Sequence, residues 1–455
     1  MANRLNQTAW MVAPLLALSV ALPLSAQETR EHPVGNVKID VTSIASGLEH
    51  PWSVEVLPDG AYIVTERPGR IRIIRDGEVG QPLGGLPRIA AVGQGGLLDI
   101  ALAPDFAETR RLFFTAATPG PGGQGTGVFS ARLSQNERRL EDVRRIFLMN
   151  KLTRAGQHFG SRIAIASDGS LFFGIGDRGE EDRAQDPADH AGKIMRINAD
   201  GSPSAANPKG QSLAEIWSSG HRNPQGLTID PADNRLYTVE HGARGGDEIN
   251  APDAGNNYGW PVISYGKHYS GAEIGIGQSA DGYEQPLHYW DPSIAPGALA
   301  IYRGAMFPEW EGDFLVAALK YQLVARIDRS ADGSIGAEER MLQGEYGRIR
   351  DVKVAPDGSI LLVSDEEDGQ LLRITRKLST GSNPSRSHQP SLLGANLRLS
   401  SLSFPRCAEA NTENFHPQFS VFAQAFPAIS IASDANFRQN DAKRACRQFE
   451  SPCSH

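Results

Sequence analysis

The amino-acid sequence predicts an all-β protein with the architecture of a six-bladed β-propeller. The first observation is a recurring unit, in which a polar turn with Pro-Asp-Gly or a related sequence precedes a β-rich run. The six copies span residues 57–74, 103–117, 166–179, 230–242, 307–327 and 355–374. The second observation is that helical periodicity is scarce, with one candidate short helix at 185–194. A large β-sandwich is the alternative, but sandwiches seldom repeat their turn chemistry.

Each copy of the unit predicts a β-hairpin, because Asp-Gly between β-branched or aromatic runs is a strong hairpin signal. Strand-rich repeats of roughly 40–50 residues are typical of propeller blades with four strands each. The sixth copy ends near residue 376, so we expect the propeller domain to span residues 27–376. Loops at one mouth of the central channel converge in this fold, so distant polar residues can share one site there.

Residues 1–26 are predicted to be a secretory signal peptide. Arg4 supplies a positive charge, residues 10–22 form an apolar run, and Ala26 ends a suitable cleavage site. The apolar run is shorter than the roughly 20 residues that a transmembrane anchor requires. We therefore expect a periplasmic or secreted protein without a membrane span.

The composition changes after the sixth copy of the unit. Residues 377–391 are rich in serine and contain Pro384 and Pro390, which predicts a flexible linker. Residues 392–455 form a C-terminal extension that contains the three cysteines of the chain, Cys407, Cys446 and Cys453. This extension is either a small unit with one disulfide and a free thiol or a disordered segment, and it receives no function.

The overall composition excludes several classes of function. Of the 455 residues, 40% are hydrophobic and 22% are charged, which is typical of a chain that forms a core. The net charge of −8 argues against a protein that binds the nucleic-acid backbone. The sequence contains no HExxH, no paired CxxC and no CxxCH motif, which removes the common zinc sites and c-type haem.

Seven segments carry more glycine and reactive side chains than strands require. They span residues 93–106, 156–169, 174–179, 218–231, 240–261, 318–322 and 347–352. Taken alone, His158 fits a partly buried structural histidine better than a functional residue. Arg348 and Arg350 have the spacing of one strand face and predict a shared anionic partner, either a ligand carboxylate or an acidic side chain. The oxygen-rich stretch 247–253 suits a hard cation such as Ca²⁺, or is a plain polar loop.

In this order, the motifs GQGGLLDIA, HFGSRI, IGDRG, GHRNPQG, EHG…DEIN…NNYGWP, LK and RIRDV resemble the soluble quinoprotein sugar dehydrogenases. The resemblance covers residues 40–376 and is closest to the periplasmic aldose sugar dehydrogenase type. It implies a six-bladed propeller that holds pyrroloquinoline quinone (PQQ) and Ca²⁺. It also implies oxidation of a small-molecule aldose at C1 to the lactone, with electrons passed to an external acceptor.

The resemblance implies a role for individual residues. His158 matches the general base that removes the proton of the sugar C1 hydroxyl, and Asp177 matches the carboxylate that pairs with it. Arg222 matches a catalytic position that stabilises negative charge on the quinone carbonyls. The matching cofactor-binding positions are Gln94, Arg222, Asn223, Lys320, Arg348 and Arg350. Gly242 and Ala243 match backbone ligands of the cofactor's Ca²⁺, and Glu248 and the carbonyl of Tyr258 match a second, structural Ca²⁺.

Two departures from the family pattern bear on details. Gln157 stands where some relatives carry an acidic residue that touches the sugar, so sugar preference need not transfer. Ala243 stands where a glucose-oxidising relative has proline, which a backbone-carbonyl ligand tolerates.

Two other functions stay open on the residues alone. One is a calcium-dependent propeller lactonase or related hydrolase, and the other is a non-catalytic propeller that binds glycans or proteins. The cationic residues discriminate among the three, because a lactonase has no use for Arg222, Lys320, Arg348 and Arg350 around a flat tricarboxylate. The sequence leaves both a monomer and a homodimer open.

Overall fold

A computed structural model of the protein describes residues 28–210 and 212–377. In this part of the chain the strands form six antiparallel sheets, five with four strands and one with five. The predicted fold class, an all-β six-bladed propeller, is confirmed. The predicted signal peptide, the extension 392–455 and the linker beyond Lys377 lie outside the described residues, so these boundaries stay predictions.

The strands follow the chain blade by blade, after β1 (Thr29–Val34) and β2 (Val37–Leu48) at the N-terminus. Blade 1 contains β3 (Pro51–Val56), β4 (Tyr62–Glu66), β5 (Arg70–Arg75) and β6 (Glu78–Val79). Blade 2 contains β7 (Leu97–Leu102), β8 (Arg111–Gly120), β9 (Gly123–Leu133) and β10 (Leu140–Leu148). Blade 3 contains β11 (Ile163–Ile165), β12 (Leu171–Ile175), β13 (Lys193–Ile197) and β14 (Ile216–Ser219).

Blade 4 contains β15 (Pro224–Ile229), β16 (Leu236–Glu240), β17 (Asp247–Asn250) and β18 (His288–Trp290). Blade 5 contains β19 (Pro296–Ile301), β20 (Phe314–Ala318), β21 (Leu323–Arg329) and β22 (Ile335–Met341). Blade 6 contains β23 (Ile349–Val354), β24 (Ile360–Ser364) and β25 (Gly369–Arg376), followed by β2 and β1. The helical elements are α1 (Phe106–Thr109) and two 3₁₀ helices, Glu181–Gln185 and Pro308–Trp310.

The first strand of each blade lies beside the first strands of its neighbours, and β23 lies beside β3. These six strands therefore surround the central channel. The ring is closed by β2, which pairs with β25 from Ile39–Arg376 to Leu48–Gly369. The last strand in chain order, β25, ends at Arg376, and the completion of blade 6 by an N-terminal strand was not predicted from the sequence.

The recurring turns join the first and second strands of each blade. In the first copy, an Asp59 carboxylate oxygen accepts the backbone N–H of Ala61 at 3.1 Å, and its other oxygen binds Arg75 at 2.7 Å. Asp168 binds Arg196 of β13 in the same way at 2.8 Å. In these two copies the aspartate thus stabilises the turn and ties it to the third strand of the same blade.

The predicted short helix at 185–194 is wrong. A 3₁₀ helix ends at Gln185, and an irregular segment leads from there to Lys193, where β13 begins. Pro187 removes a backbone donor, and Gly192 adopts a positive φ of 68°, so neither residue suits the interior of a helix. Within the described ranges, no helix is long and apolar enough to cross a membrane.

One buried arginine links the blades across the central channel. Arg162 directly precedes β11, and its guanidinium binds Asp99 at 2.9 Å and Asp351 at 3.0 Å. It also donates to two carbonyl groups at 3.3 Å and lies 4.3 Å from an indole ring centroid. Its partners in the five other blades are Trp52, Asp99, Gln225, Gly297 and Asp351. A single cation therefore contacts all five of the other blades.

Candidate active site

A pocket at one mouth of the channel is lined by residues from all six blades. The lining residues are Trp52, Gln94, Leu98, Phe159, Gly160, Asn223, Gln225, His241, Ala295, Leu319, Arg348 and Arg350. Four of the predicted cofactor-binding residues, Gln94, Asn223, Arg348 and Arg350, thus meet in one cavity. They come from blades 2, 4 and 6, so the ring of blades brings them together.

The partly buried His158 and the buried Asp177 form a pair next to this pocket. Nδ1 of His158 lies 2.6 Å from Oδ1 of Asp177. Asp177 also accepts the backbone N–H of Gly179 at 2.7 Å and Nε1–H of Trp260 at 2.9 Å. Because an ionised carboxylate only accepts hydrogen bonds, Nδ1 of His158 carries the proton and the lone pair is on Nε2.

The backbone around His158 is held in an uncommon conformation. Its φ is +55°, and its N–H donates to Oε1 of Gln94 at 2.8 Å. A side chain at Gly176 would collide with the carbonyl group of His158, so the GIGDRG loop needs glycine there to approach so closely. The glycine at position 176 therefore allows the loop that carries Asp177 to approach His158.

The environment of the pair favours a neutral histidine beside an ionised aspartate. Burial, together with the positive charges of Arg222 and Arg178, lowers the pKa of His158 despite the opposing hydrogen bond with Asp177. Burial alone would raise the pKa of Asp177, but the hydrogen bonds from His158 and Gly179 outweigh it and lower that pKa. A histidine that is neutral with a free Nε2 can accept a proton at neutral pH.

Arg350 is held in the pocket wall by two side chains. Its guanidinium donates to Gln225 at 2.9 Å and to Asp365 at 2.7 Å, and Asp365 also binds Nδ1 of His50 at 2.9 Å. Burial opposes ionisation of Asp365, but Arg350 outweighs it and lowers the pKa of Asp365 to about 2. Nε of Arg350 is buried and has no hydrogen-bond partner among the described residues. Arg348 is exposed and lines the same pocket just before β23 begins.

Arg222 lies between the His158–Asp177 pair and a glycine-rich turn. Its Nη1 donates to the carbonyl groups of Gly242 and His241, the latter at 3.4 Å, and its guanidinium lies 5.2 Å from the ring of Trp260. Its own carbonyl accepts the N–H of Asp177 at 2.8 Å. Nε of Arg222 is buried and unpaired within the described part of the chain.

The side chain of Lys320 is not placed with this cluster. Lys320 is exposed in the turn between β20 and β21, and its ammonium group lies 5.2 Å from the ring centroid of Tyr321. The neighbouring Leu319 lines the pocket instead. The side chain of Lys320 does not line the pocket, so its role in binding a cofactor stays a prediction.

Gly242 and Ala243, the predicted ligands of a cofactor calcium, lie in the turn between β16 and β17. The N–H of Gly242 donates to Oδ1 of Asp247 at 2.9 Å, and a side chain at Gly242 would collide with the carbonyl oxygen of Gly245. The turn is therefore fixed by backbone contacts, and the carbonyl of Gly242 already faces a cation, Arg222. Backbone carbonyls of this kind are suitable Ca²⁺ ligands.

Glu248 and Tyr258, the predicted residues of a second calcium site, lie at the two ends of one chain of contacts in blade 4. Asn250 donates from Nδ2 to Glu248 and to Glu240, at 3.0 Å each. Glu240 binds Nδ1 of His221 at 2.9 Å, and the His221 ring stacks on Tyr258 at 5.0 Å. Burial and the nearby Glu240 raise the pKa of Glu248 to about 8.

The donor set of this cluster fits a hard cation. Two carboxylates lie on either side of Asn250, whose Oδ1 is buried and has no partner in the part of the chain that the structure describes. Oxygen atoms of these types are the ligands that Ca²⁺ prefers. Across residues 28–210 and 212–377 there is no cluster of three or more His, Cys, Asp or Glu side chains arranged for a metal.

Sequence reasoning gave no role to several residues that complete the site. Trp260 lies within the NNYGWP motif but had no predicted role, although its indole N–H binds Asp177. Gln225 and Asp365, the partners of Arg350, follow from no local pattern. Arg178, directly after Asp177, is fully buried. For Trp260 and Arg178, the available signal in the sequence was a tryptophan or an arginine inside a glycine-rich motif.

The fold and this site define a β-propeller with a candidate active site at one mouth of its channel, and comparison with known proteins gives the family. The family model for glucose/sorbosone dehydrogenase matches residues 48–373, and the chain belongs to this family. It is therefore an oxidoreductase that acts on sugars. This membership supports neither the hydrolase nor the non-catalytic propeller left open by the sequence.

Three relatives illustrate the similarity. The aldose sugar dehydrogenase YliI of Escherichia coli K12 is 37% identical over 379 residues, which cover 82% of this chain and 99% of the relative. A crystal structure of a glucose dehydrogenase is 41% identical with a TM-score of 0.72, covering 73% of this chain and 98% of that one. The PQQ-bound form of the aldose sugar dehydrogenase of Streptomyces coelicolor is 27% identical with a TM-score of 0.63, covering 77% and 100%.

Proposed function

We propose that this protein oxidises aldose sugars at C1 to the lactone, using PQQ and Ca²⁺, with His158 as the general base. The observation that carries the proposal is a neutral, partly buried histidine with a free Nε2 beside a pocket lined by two arginine side chains. A relative whose structure is a PQQ-bound form supports the identity of the cofactor.

The pocket suits a flat polyanion. PQQ carries three carboxylates, and Arg348 and Arg350 line the cavity that would receive them. The buried Nε of Arg350 lacks a partner among the described residues, so an incoming carboxylate would satisfy a group that is otherwise costly to bury. Asn223 and Gln94 add neutral polar groups to the same wall.

His158 removes the proton of the C1 hydroxyl group through Nε2, because Nδ1 is bound to Asp177. The ionised carboxylate stabilises the imidazolium that forms, and it holds the ring in one orientation. When bound, PQQ accepts the hydride that leaves C1. Arg222, whose Nε is buried without a partner in the described part of the chain, would supply positive charge to stabilise the negative charge that develops on the cofactor.

Gly242 and Ala243 would hold the cofactor's Ca²⁺ through their carbonyl oxygens, and Glu248 with the carbonyl of Tyr258 would hold a structural Ca²⁺. The first ion would act as a Lewis acid on a quinone oxygen, which is a common role of a bound divalent cation. The second would neutralise the carboxylates of Glu248 and Glu240 inside blade 4.

The proposal includes export. The predicted signal peptide, residues 1–26, would direct the chain to the periplasm or the exterior, where an external acceptor would reoxidise the enzyme. N-terminal sequencing of the protein recovered from the host's extracytoplasmic fraction tests this part, and a chain that still begins at Met1 would contradict it.

The experiment that tests the activity combines purified apoprotein with PQQ and Ca²⁺ and follows the reduction of an artificial dye with glucose and other aldoses. We expect reduction only when quinone, calcium and sugar are all present. Omission of PQQ and replacement of Ca²⁺ by a chelator are the controls. Hydrolysis of a lactone without quinone, or no dye reduction with any aldose although PQQ binds, would overturn the proposal.

A further inference from the structure

We propose that Arg178 is a positioning residue for the general base, which it holds by binding the residues on both sides of His158. The inference deepens the proposed function and rests on it for the role of His158. Arg178 neither lines the pocket nor contacts the imidazole ring, and it matches no cofactor position of the family pattern.

The contacts of Arg178 bracket the base. Its Nη1 donates to the carbonyl of Gln157, directly before His158, and its Nη2 donates to the carbonyl of Ala155 at 2.7 Å. Its guanidinium carbon lies 3.5 Å from the ring centroid of Phe159, directly after His158. One planar cation thus fixes the backbone before the base and the side chain after it.

Two consecutive residues of one loop, Asp177 and Arg178, therefore hold different parts of the histidine residue. Asp177 binds the imidazole ring through its carboxylate at 2.6 Å, and Arg178 binds the backbone that carries the ring. This backbone needs support, because His158 has a φ of +55°, an uncommon conformation for a residue with a side chain. The planar fork of arginine suits two carbonyls and an aromatic face at once, and lysine offers no such fork.

The charge of Arg178 is not neutralised by an ion pair. The side chain is fully buried, and among the described residues it forms no ion pair with a carboxylate within 4 Å. The nearby carboxylates of Asp177 and Glu180 pair with His158 and Arg183 instead. Burial and the positive charge of Arg183 lower the pKa of Arg178 to about 10, so the group is still a cation at neutral pH. A buried cation without a counter-ion is costly, and carbonyl oxygens and a π-face only partly compensate for it.

This uncompensated charge acts on the base. The ionisable groups that influence His158 are Asp177, which favours the imidazolium, and Arg222 and Arg178, which disfavour it. His241 lines the same pocket, and burial lowers its pKa to about 3, so it adds no positive charge at neutral pH. Arg178 therefore contributes to keeping His158 unprotonated in addition to orienting it.

The test compares three variants of the full chain. R178K keeps the charge and loses the fork, R178Q loses the charge, and R196Q is the matched control. Arg196 lies in blade 3 as well, is also stacked on aromatic rings, and binds Asp168 in a turn between the first two strands. The readouts are kcat and its pH profile after reconstitution, the affinity for PQQ from tryptophan fluorescence, and the titration of His158 in apoprotein with ¹³C-labelled histidine.

For R178Q we expect a kcat that is about 10–100-fold lower, with the acid limb of the profile and the NMR titration of His158 shifted up by about one pH unit. R178K should lose a similar factor in kcat while both titrations stay within about 0.3 unit of wild type. PQQ affinity should change less than about threefold in both, since Arg178 does not line the pocket. R196Q should match wild type in all readouts.

Wild-type kcat in R178K, or an unshifted His158 titration in folded R178Q, would overturn the inference. Loss of kcat in proportion to lost PQQ affinity would also overturn it, because the residue would then serve only the fold of the pocket. Should R178Q fail to fold, R178K decides through its kcat alone. The titration of His158 in apoprotein needs no activity, so failure of the proposed function, seen as no dye reduction by wild type, is distinguishable from failure of this inference.

Discussion

Replacement of Asp177 by asparagine tests the proposed catalytic pair with the smallest change in shape. Asp177 accepts three hydrogen bonds, from His158, from Gly179 and from Trp260. An asparagine amide has one acceptor oxygen, so its NH₂ group must face at least one N–H group in either orientation. If it faces His158, the imidazole proton moves to Nε2 and the base is lost.

The magnitude follows from these contacts. One unsatisfied buried donor costs about 1–3 kcal/mol of unfolding free energy. Loss of the negative charge also makes His158 less basic, and loss of an effective general base typically lowers the rate by about 10²–10⁴-fold. We therefore expect D177N to fold, to bind PQQ almost normally, and to lose two to four orders of magnitude in kcat.

The assay is dye reduction at saturating aldose with reconstituted enzyme, together with thermal unfolding and a PQQ titration. The matched control is D189N. Asp189 is equally buried and accepts hydrogen bonds from Arg183 at 2.8 Å and from Ala191 at 2.9 Å, but it lies away from His158. D189N should lose stability and keep its kcat. A kcat of D177N within about threefold of wild type would refute the pairing of Asp177 with a general base.

Three further predictions concern the same mouth of the channel. H158A should lower kcat by about 10²–10⁴-fold and leave PQQ affinity largely intact, and wild-type turnover would remove His158 from the mechanism. R348A/R350A should weaken PQQ binding by tenfold or more in a fluorescence titration, because charge-assisted bonds to carboxylates are lost, and an unchanged titration would show that both arginines serve the fold. Asp365 has its pKa lowered to about 2, so its contribution to stability is complete above its ordinary pKa and is lost as the pH falls toward 2. Between about pH 4 and pH 2, the unfolding free energy of D365N should fall by about 2 kcal/mol less than that of wild type. Equal decreases in the two proteins would contradict this.

The blade architecture was predictable from the sequence because turn chemistry is local. An aspartate such as Asp59 binds the backbone two residues away and an arginine of the same blade, so each turn leaves its own pattern in the chain. The ring closure was not predictable in this way. The pairing of Ile39 with Arg376 joins residues from the two ends of the propeller, and neither strand marks its partner.

The site likewise contains residues that local motifs mark and residues that no local motif marks. The glycine-rich motifs pointed to His158 and Asp177, because close backbone approach requires glycine on both segments. The residues that hold Arg350, by contrast, come from blades 4 and 6 and have no common motif. The cofactor role of Lys320 was implied by the family resemblance, but the direction of a side chain in a turn depends on packing that the sequence does not encode locally.

The N-terminal strand that completes the last blade has a consequence for biosynthesis. Until Arg376 has been translated, β2 has no partner in β25, and β23 and β24 lack the other three strands of their sheet. Blade 6 also supplies Arg348 and Arg350 to the pocket wall. Translation through Arg376 is therefore required before blade 6, and with it this part of the pocket wall, can be completed.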